Sequence, residues 1–175
     1  MTLRLTEREL ATRFGTFREV LYYDGISESI ALVMGDVAGK ERVLCRIHSA
    51  CIGGHVFNSV ECECAAEMAA AQRTIQYEEC GVIIYLEQEG RGNGHLALMR
   101  SIPFKKAGRS QSEAYELAGY APDARSYRPA AMILHDLGVR SVTLLTGNGS
   151  KVDELRNLGI DVAGTELPDL SKSQS

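Results

Sequence analysis

The sequence has no tryptophan, only four prolines, and no apolar run near the roughly 18 residues that a membrane-spanning helix needs. Its N-terminus carries acidic residues, Glu7 and Glu9, and lacks the apolar segment of a signal peptide. Apolar residues make up 45% of the chain and charged residues 24%, which is typical of globular proteins. We therefore expect a cytoplasmic globular protein without a membrane partner.

Positive charge is also scarce, because 19 Lys and Arg stand against 23 Asp and Glu, and the formal net charge is −4. Polymeric nucleic acid is bound through many cationic contacts to phosphates, so we expect no such partner. A local basic pocket for one nucleotide is compatible with this balance. Five cysteines is an odd number, which in a cytoplasmic protein argues against a disulfide framework. Cysteines that cluster are therefore predicted to bind metal or to act in catalysis.

Hydrophobic patterns predict an α/β protein with a mixed sheet. In the front third, strands are predicted over 16–23, 28–34 and 42–48, separated by Asp-Gly and Gly-Asp turn signals, which favours antiparallel pairing. From about residue 63 the apolar period becomes that of a helix, and strands and helices then alternate, which favours a partly parallel second half. The elements expected there are a helix that Gly81 ends, strands over 82–86, 141–145 and 160–162, and helices around 112–117, 127–137 and 151–158.

The strongest chemical signal is a trio of cysteines, Cys51, Cys62 and Cys64. Two thiols one residue apart can face the same ion, and the third arrives from a loop a short distance back. Free cysteines are often only small buried hydrophobes, which is our interpretation of Cys45 and Cys80. The glutamates that flank two members of the trio argue against that interpretation there.

The number of ligands leaves two kinds of metal site open. A closed structural zinc site has four protein ligands, whereas a catalytic site keeps a position for water. His55 lies between Cys51 and Cys62 and is the candidate fourth ligand of a structural site. Three thiolates with a water match the zinc deaminases, which attack ring carbons of nucleobases.

Other polar residues lie where the predicted strands end. Arg46 and His48 project from one strand face just before the first cysteine of the trio. A glycine-rich stretch over 90–94 follows a buried strand, where backbone N–H groups can approach an anion, although it is equally typical of a plain turn. The Asp123-Ala124-Arg125 stretch, read alone, is typical of a helix N-cap and a surface charge.

Taken together and in this order, the motifs resemble the GTP cyclohydrolase II family. The segments that carry the resemblance are Arg46–Cys51, Phe57, Cys62–Cys64, Gln88–Arg91, Gly119–Arg125 and Leu144–Lys151. No gap is needed across them, and they cover most of the chain. The resemblance implies a GTP cyclohydrolase II-like fold with one catalytic domain over residues 1–168. Residues 169–175 are predicted to be a disordered tail because they are rich in Ser, Lys and Gln.

The resemblance also implies the site. One zinc ion per subunit would be held by the cysteine trio, and Mg²⁺ would accompany the triphosphate of the substrate. Asp123 would accept a proton, and Arg125 would attack the α-phosphate, although electrostatic stabilisation of the phosphate by Arg125 is an alternative. The implied nucleotide contacts are Arg46, His48, Ser49, Glu67, Glu89, Gly90, Arg91, Gln111, Thr146 and Lys151.

The function implied by the resemblance is hydrolytic opening of the imidazole ring of GTP at C8, with release of pyrophosphate. The product would be a pyrimidine nucleotide of a riboflavin-type or secondary-metabolite pathway. Family members are homodimers, and a homodimer is expected here. The chain is expected to be too short for the second enzyme that is often fused to this family.

The sequence departs from the family at several positions near the implied site. Ile102 replaces a tyrosine, Ala50 an acidic residue, Glu67 a glutamine and Gln111 a threonine. Isoleucine can neither orient water nor give a proton to a leaving nitrogen. One alternative is therefore ring opening without deformylation, giving a formylaminopyrimidine nucleotide, unless Phe104 or Tyr115 supplies the missing group.

Two further alternatives are not enzymes of this kind. The altered contacts, among them Glu67, are compatible with a zinc-containing protein that binds a purine nucleotide without turning it over. A carboxylate at position 67 is also expected to change the purine preference, because it accepts but does not donate hydrogen bonds. A structural zinc module with His55 as its closing ligand is the third hypothesis.

Overall fold

A computed structural model describes residues 2–170, and they form a mixed sheet with helices packed on both faces. The strands are β1 (Leu3–Thr12), β2 (Gly15–Tyr23), β3 (Glu28–Met34), β4 (Val43–Ser49), β5 (Gly81–Leu86), β6 (Ser141–Leu145) and β7 (Asp161–Glu166). The helices are α1 (Ile52–His55), α2 (Cys64–Glu78), α3 (His95–Lys106), α4 (Gln111–Leu117), α5 (Arg128–Asp136) and α6 (Gly149–Asn157). Residues 171–175 of the predicted tail lie outside the described residues.

The sheet has the strand order β1-β2-β3-β5-β4-β6-β7. The first three strands and β5 pair antiparallel, whereas β5, β4, β6 and β7 pair parallel with their neighbours. Parallel strands need long crossovers, and helices α2, α5 and α6 lie in those connections. The predicted mixed sheet, antiparallel in front and partly parallel behind, is therefore confirmed.

Three elements are absent from the prediction: β1, the single-turn helix α1 and α3. Strand β1 is exposed along most of its length, so it carries no alternating apolar pattern by which it can be recognised. Helix α3 contains Pro103, and the chain nevertheless stays helical through it. Helix α2 ends at Glu78, because Glu79 adopts a left-handed conformation with φ of 53°, and Gly81 already begins β5. Among the described helices, none combines the length and apolarity needed to cross a membrane.

The core lies on both sides of the sheet. On one face, apolar residues of α5 and α6, such as Ile133 and Leu155, pack against Ile47 and Ile84 of the central strands. On the other face, residues of α2 pack against β2, β5 and β6. Cys45 is fully buried within the first cluster, as expected of a small apolar residue.

The topology places the ends of three parallel strands at one edge of the sheet. Strands β4, β5 and β6 end at Ser49, Leu86 and Leu145, and each is followed by a loop or short helix. The carboxyl edge of a parallel sheet is where α/β proteins usually bind ligands. Cys51, Glu89 and Thr146 come soon after the ends of β4, β5 and β6, respectively, so predicted site residues lie at this edge of the sheet.

Candidate active site

The thiols of the cysteine trio converge on one point. Cys51 is the N-cap residue of α1, Cys62 lies in the loop after it, and Cys64 is the first residue of α2. Their sulfur atoms lie within 4.8 Å of one another, and those of Cys51 and Cys62 are 3.6 Å apart. Three sulfur atoms at this spacing can share one tetrahedral cation, leaving a fourth position for another ligand.

The surroundings of the thiols are half-buried. Burial raises the pKa of Cys51 and Cys64, and the neighbouring thiols raise that of Cys64 further. Because a metal binds the thiolate, uptake of a cation by these residues must release protons. A bound cation would therefore stabilise the thiolate forms of Cys51 and Cys64 that burial alone disfavours.

The cradle behind the sulfur atoms is formed by Gly54. A Cβ atom at this position would lie 2.9 Å from the sulfur of Cys62 and 3.2 Å from the Cβ of Cys64. Only a glycine lets α1 approach the trio so closely.

His55, the candidate fourth ligand, turns away from the trio, and its Nε2 lies 3.0 Å from Nε2 of His48. Within the described chain the metal-ligating group contains the three cysteines without His55, so the closed structural site is not formed.

The cysteines open into a cavity of about 640 Å³. The predicted site residues that line it are Ser49, Cys51, Cys62, Cys64, Glu89, Gly90, Arg91, Gln111 and Arg125. A cavity of this size lies in the range of small-molecule sites. Three thiols spaced so that they could hold a metal ion, two arginines and a nucleotide-sized space therefore share one site.

A tight turn after β5 forms one wall of the cavity. Gly90 and Arg91 both have left-handed backbones, with φ of 60° and 55°. A Cβ atom at Gly90 would lie 2.3 Å from the carbonyl oxygen of Gly94, so this turn requires glycine. The Arg91 guanidinium donates to Oγ of Ser112 at 3.1 Å and to the carbonyl of Pro122 at 3.3 Å. The glycine-rich stretch over 90–94 thus forms a turn that holds Arg91 in place.

Asp123 and Arg125 form a bidentate ion pair instead of a helix cap. The Arg125 guanidinium donates from Nε to Oδ1 of Asp123 at 2.9 Å and from Nη2 to Oδ2 at 2.5 Å. Partial burial opposes ionisation of Asp123, but the hydrogen bonds and charge of Arg125 hold its pKa below the ordinary value. The same hydrogen bonds raise the pKa of Arg125. Both groups are therefore charged, and Arg125 lines the cavity as a fixed cation.

A second group of predicted contacts is buried beside the cavity. Arg46 donates from Nη2 to Oε2 of Glu67 at 2.5 Å and from Nη1 to the carbonyl of Leu145 at 2.8 Å. Lys151 donates from Nζ to the carbonyl of Ile47 at 2.9 Å. Burial and, to a smaller extent, the charge of Arg46 together lower the pKa of Lys151 to about 8. Two buried cations thus share a single carboxylate among these contacts.

His48 is held neutral. Burial lowers its pKa to about 3, with the charge of Arg46 acting in the same direction. Nδ1 of His48 lies 3.4 Å from Nε of Arg46. The rings of His48 and Tyr85 are nearly parallel, with 6.5 Å between their centroids. Thr146, also buried, accepts a hydrogen bond from the backbone of Asn148. These residues, with Arg46, Glu67 and Lys151, do not line the cavity that the cysteines open into.

One wall of the cavity comes from residues that, apart from Ile102, the sequence analysis did not identify. Helix α3 presents one face to the cavity, formed by His95, Leu98, Met99, Ser101, Ile102, Lys105 and Lys106. Their spacing of three, four and seven residues is that of a helix face, and it was the available signal. Pro103 masked it, since proline in a helix interior is unusual.

Three of the positions at which the sequence departs from the family line the same cavity: Ala50, Ile102 and Gln111. Tyr115 lines it too, whereas Phe104 is not among its lining residues. The fourth departure, Glu67, forms the ion pair with Arg46. The substitutions are therefore concentrated at the site, and Tyr115 is the available phenol there.

Comparison with known proteins gives consistent matches. A sequence model of the GTP cyclohydrolase II family matches residues 3–166. The riboflavin biosynthesis protein RibBA of Bacillus subtilis (strain 168) is 42% identical over 166 residues, covering 91% of this chain and 42% of RibBA. RibBA of Endomicrobium trichonymphae is 34% identical over 169 residues, covering 95% of this chain and 42% of that protein. The chain spans about two-fifths of the length of these curated relatives.

A solved structure resembles the fold. It is the crystal structure of RibBX, a two-domain 3,4-dihydroxy-2-butanone 4-phosphate synthase from A. baumannii, with a TM-score of 0.52 and 19% identity. The match covers 95% of this chain and 39% of that one, and at this identity it bears on the fold alone. Because the family model extends over nearly all of the described residues, the chain belongs to the GTP cyclohydrolase II family.

Proposed function

We propose that this protein catalyses zinc-dependent hydrolytic opening of the imidazole ring of GTP at C8, with release of pyrophosphate. The observation that carries the proposal is the convergence of three thiols on one point at the wall of a nucleotide-sized cavity. Membership of the GTP cyclohydrolase II family supports GTP as the substrate. The curated relatives are riboflavin biosynthesis proteins, which supports a riboflavin-type pathway for the product.

The donor set fits zinc. Cys51, Cys62 and Cys64 would hold the ion, and the close approach of Gly54 keeps their sulfur atoms together. Zinc bound by three protein ligands supplies Lewis-acid activation of water near neutral pH. His55 is engaged with His48, so it would not serve as a fourth protein ligand.

The cationic residues of the cavity would bind the phosphates. Arg91 and Arg125 are both held by other protein groups, so their charges are in place before a ligand arrives. Asp123 engages the Arg125 guanidinium through both carboxylate oxygens and raises the pKa of that arginine. A guanidinium with a raised pKa is a poor nucleophile. These contacts support electrostatic stabilisation of the α-phosphate by Arg125 in preference to covalent attack.

The buried group of Arg46, Glu67 and Lys151 would lie against the base or ribose. Its donors now engage carbonyls and a carboxylate, and its three side chains lie outside the lining of the cavity, so contact with a nucleotide requires them to exchange these partners. Mg²⁺ would enter with the triphosphate oxygens of the substrate.

We also propose that the protein forms a homodimer. The exposed apolar side chains of Val56, Phe57 and Val60, beside the cysteine trio, support this proposal.

The test is product analysis with zinc-loaded protein and GTP. Mass spectrometry should detect a ring-opened pyrimidine nucleotide, and about one pyrophosphate should form per GTP consumed. Cys62→Ser should lose both bound zinc and turnover, whereas Cys80→Ala, which removes a thiol outside the trio, should keep both. If zinc-loaded protein binds GTP but leaves it intact, the protein is a nucleotide-binding protein and the enzymatic proposal is wrong.

A second candidate is ring opening that stops before deformylation. Ile102 favours it, because this side chain lines the cavity where the family carries a phenol, and it offers no proton donor. The product would then be a formylaminopyrimidine nucleotide. Formate measured per GTP consumed separates the two outcomes, since complete hydrolysis releases one formate and early arrest releases none. Under early arrest, Ile102→Tyr should raise formate release.

A further inference from the structure

Tyr115 is a fixed part of the wall of the cysteine cavity. Helix α4 begins with a capping box, in which the Ser110 side chain accepts from the backbone N–H of Glu113 and the Glu113 carboxylate accepts from that of Ser110. Tyr115 follows within the same short helix and is 0% exposed. Tyr115 is nevertheless one of the residues that line the cavity, so it forms part of the inner wall.

The hydroxyl of Tyr115 has no hydrogen-bond partner. In the described part of the chain, four buried side-chain polar atoms lack a partner, and two of them belong to residues of this cavity: Oη of Tyr115 and Oε1 of Gln88. Buried polar groups in folded proteins are nearly always paired. Two unpaired atoms on the wall of one cavity indicate that their partners arrive with a ligand.

The neighbours of this hydroxyl leave it free to donate. Gln111 and Ser101 are its polar neighbours and act to lower its pKa, but neither makes a hydrogen bond of normal geometry with it. The Ser101 hydroxyl already donates to the carbonyl of Leu98 at 2.7 Å. Burial raises the pKa of Tyr115, so the phenol keeps its proton at neutral pH and acts as a donor.

We propose that the Tyr115 hydroxyl donates a hydrogen bond to an acceptor atom of a purine nucleotide bound in the cysteine cavity. The inference rests on the proposed function, since it takes the nucleotide as ligand. A ring nitrogen, carbonyl or phosphate oxygen satisfies the phenol, whereas an apolar group leaves it unpaired.

The experiment uses the zinc-loaded full chain and guanosine 5′-(α,β-methylene)triphosphate, whose bridge between the α- and β-phosphorus atoms resists cleavage. In Tyr115→Phe the dissociation constant should rise about 10-fold. The melting temperature without ligand should stay unchanged or rise, since an unpaired buried hydroxyl is removed. The control is Tyr22→Phe, because the Tyr22 hydroxyl donates to Asp136 at 2.7 Å away from the cavity. It should lower the melting temperature by about 2–4 °C and leave binding unchanged.

Two results overturn the inference alone. One is wild-type affinity in Tyr115→Phe while the wild type itself binds the analogue. The other is a loss of melting temperature in unliganded Tyr115→Phe as large as that in Tyr22→Phe, which would reveal a structural partner. If the wild type does not bind the analogue at all, the proposed function fails with it, so the two failures are distinguishable.

Discussion

Lys151 makes the stability of this protein depend on pH in a direction opposite to that of a surface ion pair. Its side chain is buried, with 6% exposure, and Nζ donates to the carbonyl of Ile47. Burial and, to a smaller extent, the nearby charge of Arg46 together lower the pKa of Lys151 from 10.5 to about 8. The difference between these pKa values corresponds to about 3 kcal/mol of stability.

The direction follows from proton binding. In the unfolded chain Lys151 binds its proton more tightly than in the folded protein, so raising the pH favours the folded state. The contribution is complete above the unfolded pKa of 10.5 and is lost as the pH falls through about 8. Between pH 7 and pH 10 it should increase the free energy of unfolding by about 2.5 kcal/mol.

Urea denaturation of the wild type and of Lys151→Met at pH 7, 8, 9 and 10 measures this contribution. Subtracting the two free energies of unfolding removes the titration of groups that both proteins share. The wild type should gain about 2.5 kcal/mol over Lys151→Met across this range. Lys106→Met, which removes an exposed lysine, is the control for loss of one positive charge. A difference between wild type and Lys151→Met that stays constant with pH would refute the reasoning.

Three further substitutions test the geometry of the site. Gly54→Ala should weaken zinc affinity roughly 10- to 100-fold, because the added methyl displaces the sulfur of Cys62; unchanged affinity in a competition with a chelator would contradict this. Gly90→Ala should lower the free energy of unfolding by about 2 kcal/mol, since its Cβ meets a backbone oxygen, and urea denaturation measures it. Glu67→Gln should lower the free energy of unfolding by about 1–3 kcal/mol, because Arg46 loses its charged partner. The same substitution should change the ratio of kcat/KM for GTP to that for other purine triphosphates. An unchanged ratio argues against contact between Glu67 and the base.

The ion pair of Asp123 and Arg125 shows that a sequence motif can be recognised although the contacts of its side chains cannot be predicted from it. The spacing of the two residues suggests a helix cap when read alone, and a base with its nucleophile when read through the family. The structure instead has a bidentate pair in a loop, with both side chains charged. Which atoms face each other depends on the turn that Arg91 and the 121–124 segment form together, which no local pattern contains.

The sequence by itself determined the mixed sheet, the positions of the central strands and the candidate metal ligands. Buried strands such as β5 and β6 are short continuous apolar runs, and the paired thiols of Cys62 and Cys64 stand in a polar stretch that a core would not tolerate. These are local signals, so they survive without knowledge of the fold. Strand β1 and helix α3 were not predicted, because β1 is exposed and lacks an apolar pattern, and because Pro103 masked the helical spacing of α3.

Only the tertiary structure decided which polar residues share a space. His55 is close to the cysteines along the chain, yet its ring pairs with His48, because α1 turns it toward β4. Arg46 and Lys151 are far apart in sequence, yet both are buried and close enough that the charge of Arg46 lowers the pKa of Lys151. Burial and pairing of this kind depend on contacts between distant segments, and those contacts set the charge state of Lys151 and leave the hydroxyl of Tyr115 without a partner.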